Sequence, residues 1–265
     1  MTSKRRRVIL AGASGRMGQA MWPSLRTAPD IHVVAALGRH APPADLPADT
    51  AWVHHLADAL AGAQSGDLWV DLTTGEAATQ QLPEVLAAGC DALVGATGMS
   101  ADTLANWAEQ ARVLSRTVFV VPNFSLGAVL MMRFATMAAR WLPDVEIVEA
   151  HHPGKKDAPS GTARRTAELV ASARQSPPLA LPCGESLPPS RGLNVSGIPV
   201  HAIRLPGLLA HQEVVFGGTG EVLTLRHDAM SRECFAPGLL LAIRGMSRLS
   251  GLVVGLEHLL EGEHA

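Results

Sequence analysis

Along the first half of the chain, short apolar runs alternate with stretches whose apolar residues recur at helical spacing. The runs at 7–11, 32–37, 68–72, 92–95 and 117–121 have the length and continuity of strands buried on both faces. The stretches at 17–28, 56–61, 77–88 and 101–115 carry the helical pattern. This alternation predicts an α/β fold, a doubly wound parallel sheet of Rossmann type with helices on both faces. Ligands in such sheets sit beyond the carboxyl ends of the strands. Past Asn123 the rhythm changes. A long apolar helix is predicted over 125–141, a strand over 145–150 and a helix over 164–173, with a Pro- and Ser-rich loop over 176–191. Apolar runs at 200–205, 208–216 and 221–227, parted by Pro-Gly and Gly-Gly-Thr-Gly turns, predict a second, mixed or antiparallel sheet. Residues 235–248 and 253–260 read as closing helices.

The chain has 265 residues, 47% of them hydrophobic and 17% charged, enough for one large or two small cores. A formal net charge of −2 gives no electrostatic case for nucleic acid or an anionic membrane as partner. Basic residues 4–7 precede an apolar run at 8–13 that is too short for a secretory signal, and no apolar stretch is long enough for a membrane helix. Cys90, Cys183 and Cys234 are scattered, as expected of reduced thiols in a cytosolic protein without a disulfide framework or zinc site.

The first predicted strand feeds Gly12-Ala-Ser-Gly15-Arg-Met-Gly18, which opens a helix. Glycines permit the tight turn and close backbone approach, and a helix start presents N–H groups to a pyrophosphate. Ser14 stands where a stricter G-x-G-x-x-G would have its second glycine. An ordinary βα turn is the bland alternative, and the strand–turn–helix context favours a dinucleotide. The second strand should end on the group that reads the adenosine ribose, an acid for NAD or an Arg for NADP. Here it ends Leu37-Gly38-Arg39, without a carboxylate, so NADPH is expected to be preferred over NADH.

The densest chemistry lies in Glu149-Ala-His-His-Pro-Gly-Lys-Lys-Asp-Ala-Pro-Ser-Gly-Thr-Ala163. Imidazole suits proton transfer near neutral pH. Lysine supplies a fixed cation or a proton for a developing anion. Ser160 or Thr162 is placed to cap the following helix, whose first N–H groups suit a carboxylate. On a continuing strand His151 and His152 point to opposite sides, and the H-E-x-x-H spacing is absent, so no metal site is expected. Gly154-Lys155 lacks the rest of a phosphate loop. A capped helix after a solvated Lys-Lys loop is the bland reading.

This run resembles the signature of the 4-hydroxy-tetrahydrodipicolinate reductase family, the reductases of the diaminopimelate and lysine route. Gly12 to Gly18, Gly95-Ala-Thr-Gly98, Asn123-Phe-Ser-Leu-Gly127, and the segments 204–213 and 226–232 resemble the same family, so the likeness spans nearly the whole chain. It implies His151 as catalytic proton donor or acceptor and Lys155 as a second donor. It implies substrate contacts from His152, Gly161 and Thr162. It implies a nicotinamide cofactor, NADPH with NADH as a second choice, along Gly12, Ala13, Ser14, Gly15, Arg16, Met17, Gly18 and Arg39. Further cofactor contacts are implied at Gly95, Ala96, Thr97, Val121, Pro122, Asn123 and Phe124. The implied substrate is a small cyclic dicarboxylate. The implied domains are a dinucleotide-binding one over 1–124 and 233–265 and a substrate-binding one over 125–232, whose mixed sheet forms a homotetramer. Gly38 departs from the family, in which many members carry an acid there.

Two rivals remain on the residues alone. A dehydrogenase of an amino acid or aldehyde would share the two lobes, but Cys90 precedes a strand and is no aldehyde nucleophile. A catalytically silent NADP sensor would need the glycine turn and not the His–Lys–Ser-Gly-Thr cluster.

Overall fold

The computed structural model describes residues 5–177 and 189–260. Most of the loop expected over 176–191, with Cys183 in it, therefore lies outside the described residues. The chain divides into two compact units, Met1–Phe124 with Phe235–Ala265, and Ser125–Cys234.

The first unit is a seven-stranded parallel sheet in the order β12-β6-β5-β4-β1-β2-β3. Its strands are β1 (Arg6–Ala11), β2 (Ile31–Leu37), β3 (Ala51–Val53), β4 (Leu68–Asp71), β5 (Asp91–Val94), β6 (Thr117–Val120) and β12 (Gly251–Val254). The crossovers run through α1 (Arg16–Thr27), α2 (Leu56–Leu60), α3 (Gly75–Ala87) and α4 (Ala101–Leu114). Central strands read as continuous apolar runs because both faces are covered, and Leu68, Trp69 and Val70 of β4 have no exposed surface. Thr74 and Ser100 start α3 and α4 by accepting the N–H of Ala77 and Thr103.

The doubly wound parallel sheet expected from the alternation is present. Two differences concern short elements. β3 has three residues, too few for any periodic pattern to show. Residues 253–260, expected as a helix, instead form the end of β12 and a 3-10 turn, Leu256–Leu259. Gly255 explains this, because its φ of +107° breaks helical continuation, and Leu252-Val-Val254 pairs in parallel with β6. The helix expected over 235–248 is also shorter: α7 covers Ala236–Gly245, with 3-10 turns at Arg232–Phe235 and Met246–Arg248.

The second unit is a five-stranded mixed sheet in the order β11-β10-β7-β9-β8. It comprises β7 (Asp144–His151), β8 (Leu193–Val195), β9 (Ile198–Arg204), β10 (Ala210–Gly218) and β11 (Glu221–Ala229), and β8 is again too short to be seen in the pattern. β7 and β9 run parallel, and the other neighbours run antiparallel. α5 (Leu126–Ala138) and α6 (Gly161–Ala173) supply the core with Met131, Ala135, Ala163, Ala167 and Val170 against Ile147, Val200, Val214 and Phe216.

Close packing in the first unit fixes where glycine is required. A Cβ on Gly18 would overlap the carbonyl of Gly12 and lie 2.7 Å from Cα of Ala13. Gly18→Ala is therefore expected to destabilise the fold by roughly 1–3 kcal/mol. Urea titration should show a lower midpoint with an unchanged slope.

Candidate active site

The strand order reverses between β1 and β4, and the glycine turn sits at that switch point. Gly12 adopts φ +79°, and its missing Cβ would lie 2.8 Å from the carbonyl carbon of Leu72. The turn thus lies flush against the end of β4, with no side chain in the way. N–H groups of Gly12 and Ala13 both donate to the carbonyl of Leu37 at 3.0 Å, and Gly15 donates to Gly12 at 2.9 Å. Gly15 and Arg16 are exposed, and Gly15 gives α1 no side-chain cap. Ser14 is tied to the end of β2, its hydroxyl accepting the N–H of Arg39 at 3.0 Å.

Neighbouring loops follow in register. Leu72 donates to Ala11 at 3.0 Å, Gly95 to Asp71 at 2.8 Å and Val121 to Val94 at 2.8 Å. A Cβ on Gly95 would lie 2.6 Å from the ring of Phe124, so the loops after β5 and β6 touch there. Residues 12–18, 39, 95–97 and 121–124 are thereby gathered along one carboxyl edge of the sheet. The edge also holds an acid that sequence reading passed over. Asp71 is 1% exposed and accepts from Thr73 N–H and Oγ1 and from the Trp69 indole. Burial pushes its carboxyl above the usual range against those hydrogen bonds.

In the second unit the run from Glu149 to Thr162 is organised around a carboxylate. Along β7, Val145, Ile147 and Glu149 alternate onto the buried face, and Glu149 is 0% exposed. Its Oε2 meets His151 Nδ1 at 2.6 Å and accepts from Arg204 Nη1 at 2.9 Å. Its Oε1 accepts from Arg204 Nη2 at 2.8 Å and from the Ser160 N–H at 3.0 Å. Burial opposes ionisation, but the His151 and Arg204 hydrogen bonds outweigh it and hold the Glu149 carboxyl down to about 2.

Arg204 does more than neutralise. It ends β9 opposite His151, and its guanidinium also donates to the carbonyls of Lys155 and Asp157 at 3.3 and 2.6 Å. The loop carrying Lys155 is therefore strapped to the same arginine that holds Glu149. Lys155 Nζ pairs with Asp157 at 2.9 Å, and the Lys155 N–H donates to the carbonyl of His152 at 3.1 Å. Burial works against the Asp157 carboxylate, but the Lys155 ammonium pulls its pKa below the usual range. Ser160 caps α6 by accepting the Ala163 N–H at 3.2 Å, which places Gly161 and Thr162 at the helix start. Of the two capping candidates, Ser160 takes the role. Gln212 Nε2 donates to Thr166 Oγ1, which donates to the carbonyl of Thr162, tying α6 to β10.

The structure thus gathers His151, His152, Lys155, Gly161 and Thr162 around one loop and helix start. Sequence reading missed the roles of Glu149 and Arg204. The signal for Glu149 was available, since the Val145-x-Ile147-x-Glu149-x-His151 alternation puts a carboxylate on the core face. Arg204 had no comparable signal, because its partner lies on another strand. Ser125 and Gly127, grouped by likeness with a cofactor loop, belong to the second unit. Ser125 caps α5, and Gly127 packs 2.6 Å (as a built Cβ) from the ring of His227.

Comparison with known proteins matches residues 6–124 to the family model "Dihydrodipicolinate reductase, N-terminus" and residues 127–260 to "Dihydrodipicolinate reductase, C-terminus". A 4-hydroxy-tetrahydrodipicolinate reductase of Moorella thermoacetica is 44% identical, over 96% of this chain and 98% of that protein. One from Streptococcus pneumoniae serotype 19F is 45% identical, over 96% and 99%. The dipicolinate-bound dihydrodipicolinate reductase from Paenisporosarcina sp. TG-14 superposes with a TM-score of 0.84 at 36% identity, over 96% of this chain and 99% of that one. With both halves matched in order and nearly full coverage of each relative, this chain belongs to the dihydrodipicolinate reductase family.

Proposed function

We propose that this chain reduces 4-hydroxy-tetrahydrodipicolinate to tetrahydrodipicolinate and water in diaminopimelate and lysine biosynthesis, with NADPH preferred over NADH. The observation that carries the reading is the buried Glu149–His151–Arg204 network heading the His-His-x-x-Lys and Ser-Gly-Thr run. The residues of the first unit fit a dinucleotide. The missing side chains at Gly12 and Gly18 let the turn close against Leu72 and let α1 start directly on it, and the exposed start of α1 at Gly15 and Arg16 is the part open to a pyrophosphate. Residues 12–18 would hold the phosphates, 95–97 and 121–124 the nicotinamide end, and Arg39 the 2′-phosphate. The bound nicotinamide supplies the hydride.

The second unit supplies the proton and the anion site. Glu149 engages Nδ1 of His151, which leaves Nε2 as the atom that exchanges a proton with substrate. Lys155 offers a cation and a second proton, and Gly161 with Thr162 offers the start of α6 to a carboxylate. His152 completes the contacts to the dicarboxylate. One hydride and one proton enter, and the ring hydroxyl leaves as water. The reading includes a cytosolic homotetramer joined through the mixed sheet, and exposed Val222 and Leu223 on edge strand β11 support that.

Steady-state NADPH oxidation with freshly generated substrate tests the activity. Turnover is expected, whereas nucleotide binding without turnover would identify a sensor. His151→Gln should lower kcat about 10²–10⁴-fold while leaving NADPH affinity near wild type. Near-normal turnover would remove His151 from the proton step.

Arg39→Ala should raise the Michaelis constant for NADPH about tenfold, the size of one lost charge-assisted hydrogen bond, and leave that for NADH nearly unchanged. Equal effects on both would contradict the assignment.

Glu149→Gln tests the support of His151. The folded carboxyl titrates at about 2 against an ordinary value of 4.5, so its contribution to stability is complete above pH 4.5 and is lost as pH falls toward 2. Wild type should melt above the variant at neutral pH, and the gap should narrow through that window. A gap that stays constant down to pH 2 would show that the carboxylate charge contributes nothing.

A further inference from the structure

We propose that Trp52 is a specificity-determining residue for the nucleotide, because its indole fills the space in which a carboxylate at the end of β2 would stand. The inference rests on the nucleotide-binding reading and deepens it. In sheets of this class an acid at the end of the second strand accepts the ribose 2′-hydroxyl of NAD, and an arginine beside it meets the 2′-phosphate of NADP. The position here is Gly38, which is buried. A Cβ built on it would overlap Cζ2 of Trp52, lie 2.9 Å from Cη2 of the same ring, and lie 3.1 Å from Cβ of Ser14. Gly38 is thus squeezed between an indole and the glycine turn, and even alanine requires one of them to move.

The indole is not free to swing aside without cost. Trp52 stands in β3 in register with Ala36 of β2, and its Nε1 donates to the carbonyl of His40 at 3.1 Å. Gly38 donates its N–H to the carbonyl of Val53 at 3.1 Å, and its own carbonyl meets His54 Nδ1 at 2.7 Å. Both backbone polar groups of Gly38 are therefore held by the segment that carries Trp52. Moving the ring loses the His40 hydrogen bond and disturbs the ladder that fixes the end of β2. The missing carboxylate is accordingly a filled position that a single substitution does not reopen. Arg39 then provides the permanent charge at this strand end. It is exposed, with its N–H anchored on Ser14 of the glycine turn.

A mutant cycle on the full chain tests this, with Gly38→Asp, Trp52→Val and the double variant. Each is titrated with NADPH and with NADH by calorimetry and melted without nucleotide. Gly38→Asp alone should lower Tm by several degrees and tighten NADH by less than about threefold. The double variant should melt no lower than Trp52→Val alone, tighten NADH about tenfold over wild type and weaken NADPH. Gly38→Ala, the smallest probe of the contact, should also melt low in the wild-type background and cost nothing further in the Trp52→Val background. The proposal is overturned if Gly38→Asp alone keeps the wild-type Tm and gains the full NADH affinity, or if the two substitutions act additively. Wild type binding neither nucleotide would instead overturn the nucleotide-binding reading itself, and this one with it.

Discussion

A carboxylate with no exposed surface must find its solvation inside the protein, and that requirement organises the second unit. Glu149 meets it with two of the three nitrogens of one guanidinium, one imidazole nitrogen and one backbone N–H. Each partner comes from a different piece of structure: β9 through Arg204, the end of β7 through His151, and the start of α6 through Ser160. Folding the acid into the core therefore fixes, in one step, the strand end, the loop and the helix N-terminus. Removing one partner of such a buried pair typically costs about 3–5 kcal/mol. That cost is the physical reason the loop between β7 and α6 holds its shape with so little apolar packing of its own.

The first unit is governed by close backbone approach. Gly12 against Leu72, Gly18 against the turn before it, Gly95 against Phe124 and Gly238 of α7 against the carbonyl of Phe124 all exclude a side chain. These contacts draw the carboxyl ends of β1, β4, β5 and β6 into one continuous edge of main chain. Main chain makes most of that edge, with the Phe124 ring, packed at Gly95, the one side chain among these four contacts. Side chains gather at the end of β2, where the Ser14 hydroxyl accepts the Arg39 N–H and the Trp52 indole occupies the place of a Gly38 side chain.

Much of this was legible in the sequence because it rests on local patterns. Buried parallel strands announce themselves as apolar runs, and the glycine turn is recognisable from the strand and helix on either side. The His–Lys–Ser-Gly-Thr run marked the loop and helix start in the second unit. What escaped depends on contacts between distant residues. Arg204 is an ordinary strand residue until β9 is laid beside β7. Trp52 is one apolar residue in a strand too short to show a period, and its relation to Gly38 exists only once β3 pairs with β2. The last strand was mistaken for a helix because a short apolar run carries both readings, and the positive φ at Gly255 that decides between them is a property of the folded backbone.

The position of that last strand bears on how the chain is made. β12 lies beside β6 as the outer member of the parallel sheet, yet the whole second unit is inserted in the sequence between them. During synthesis from the N-terminus, β6 is complete long before its neighbour exists, and its open edge of N–H and C=O groups waits for residues made only after the inserted unit. The inserted unit, whose sheet among the described residues pairs within 125–234, has no such wait. The parallel sheet thus begins before the inserted unit and closes after it, and a nascent chain halted before Gly251 would present an unpaired strand to its neighbours on the ribosome.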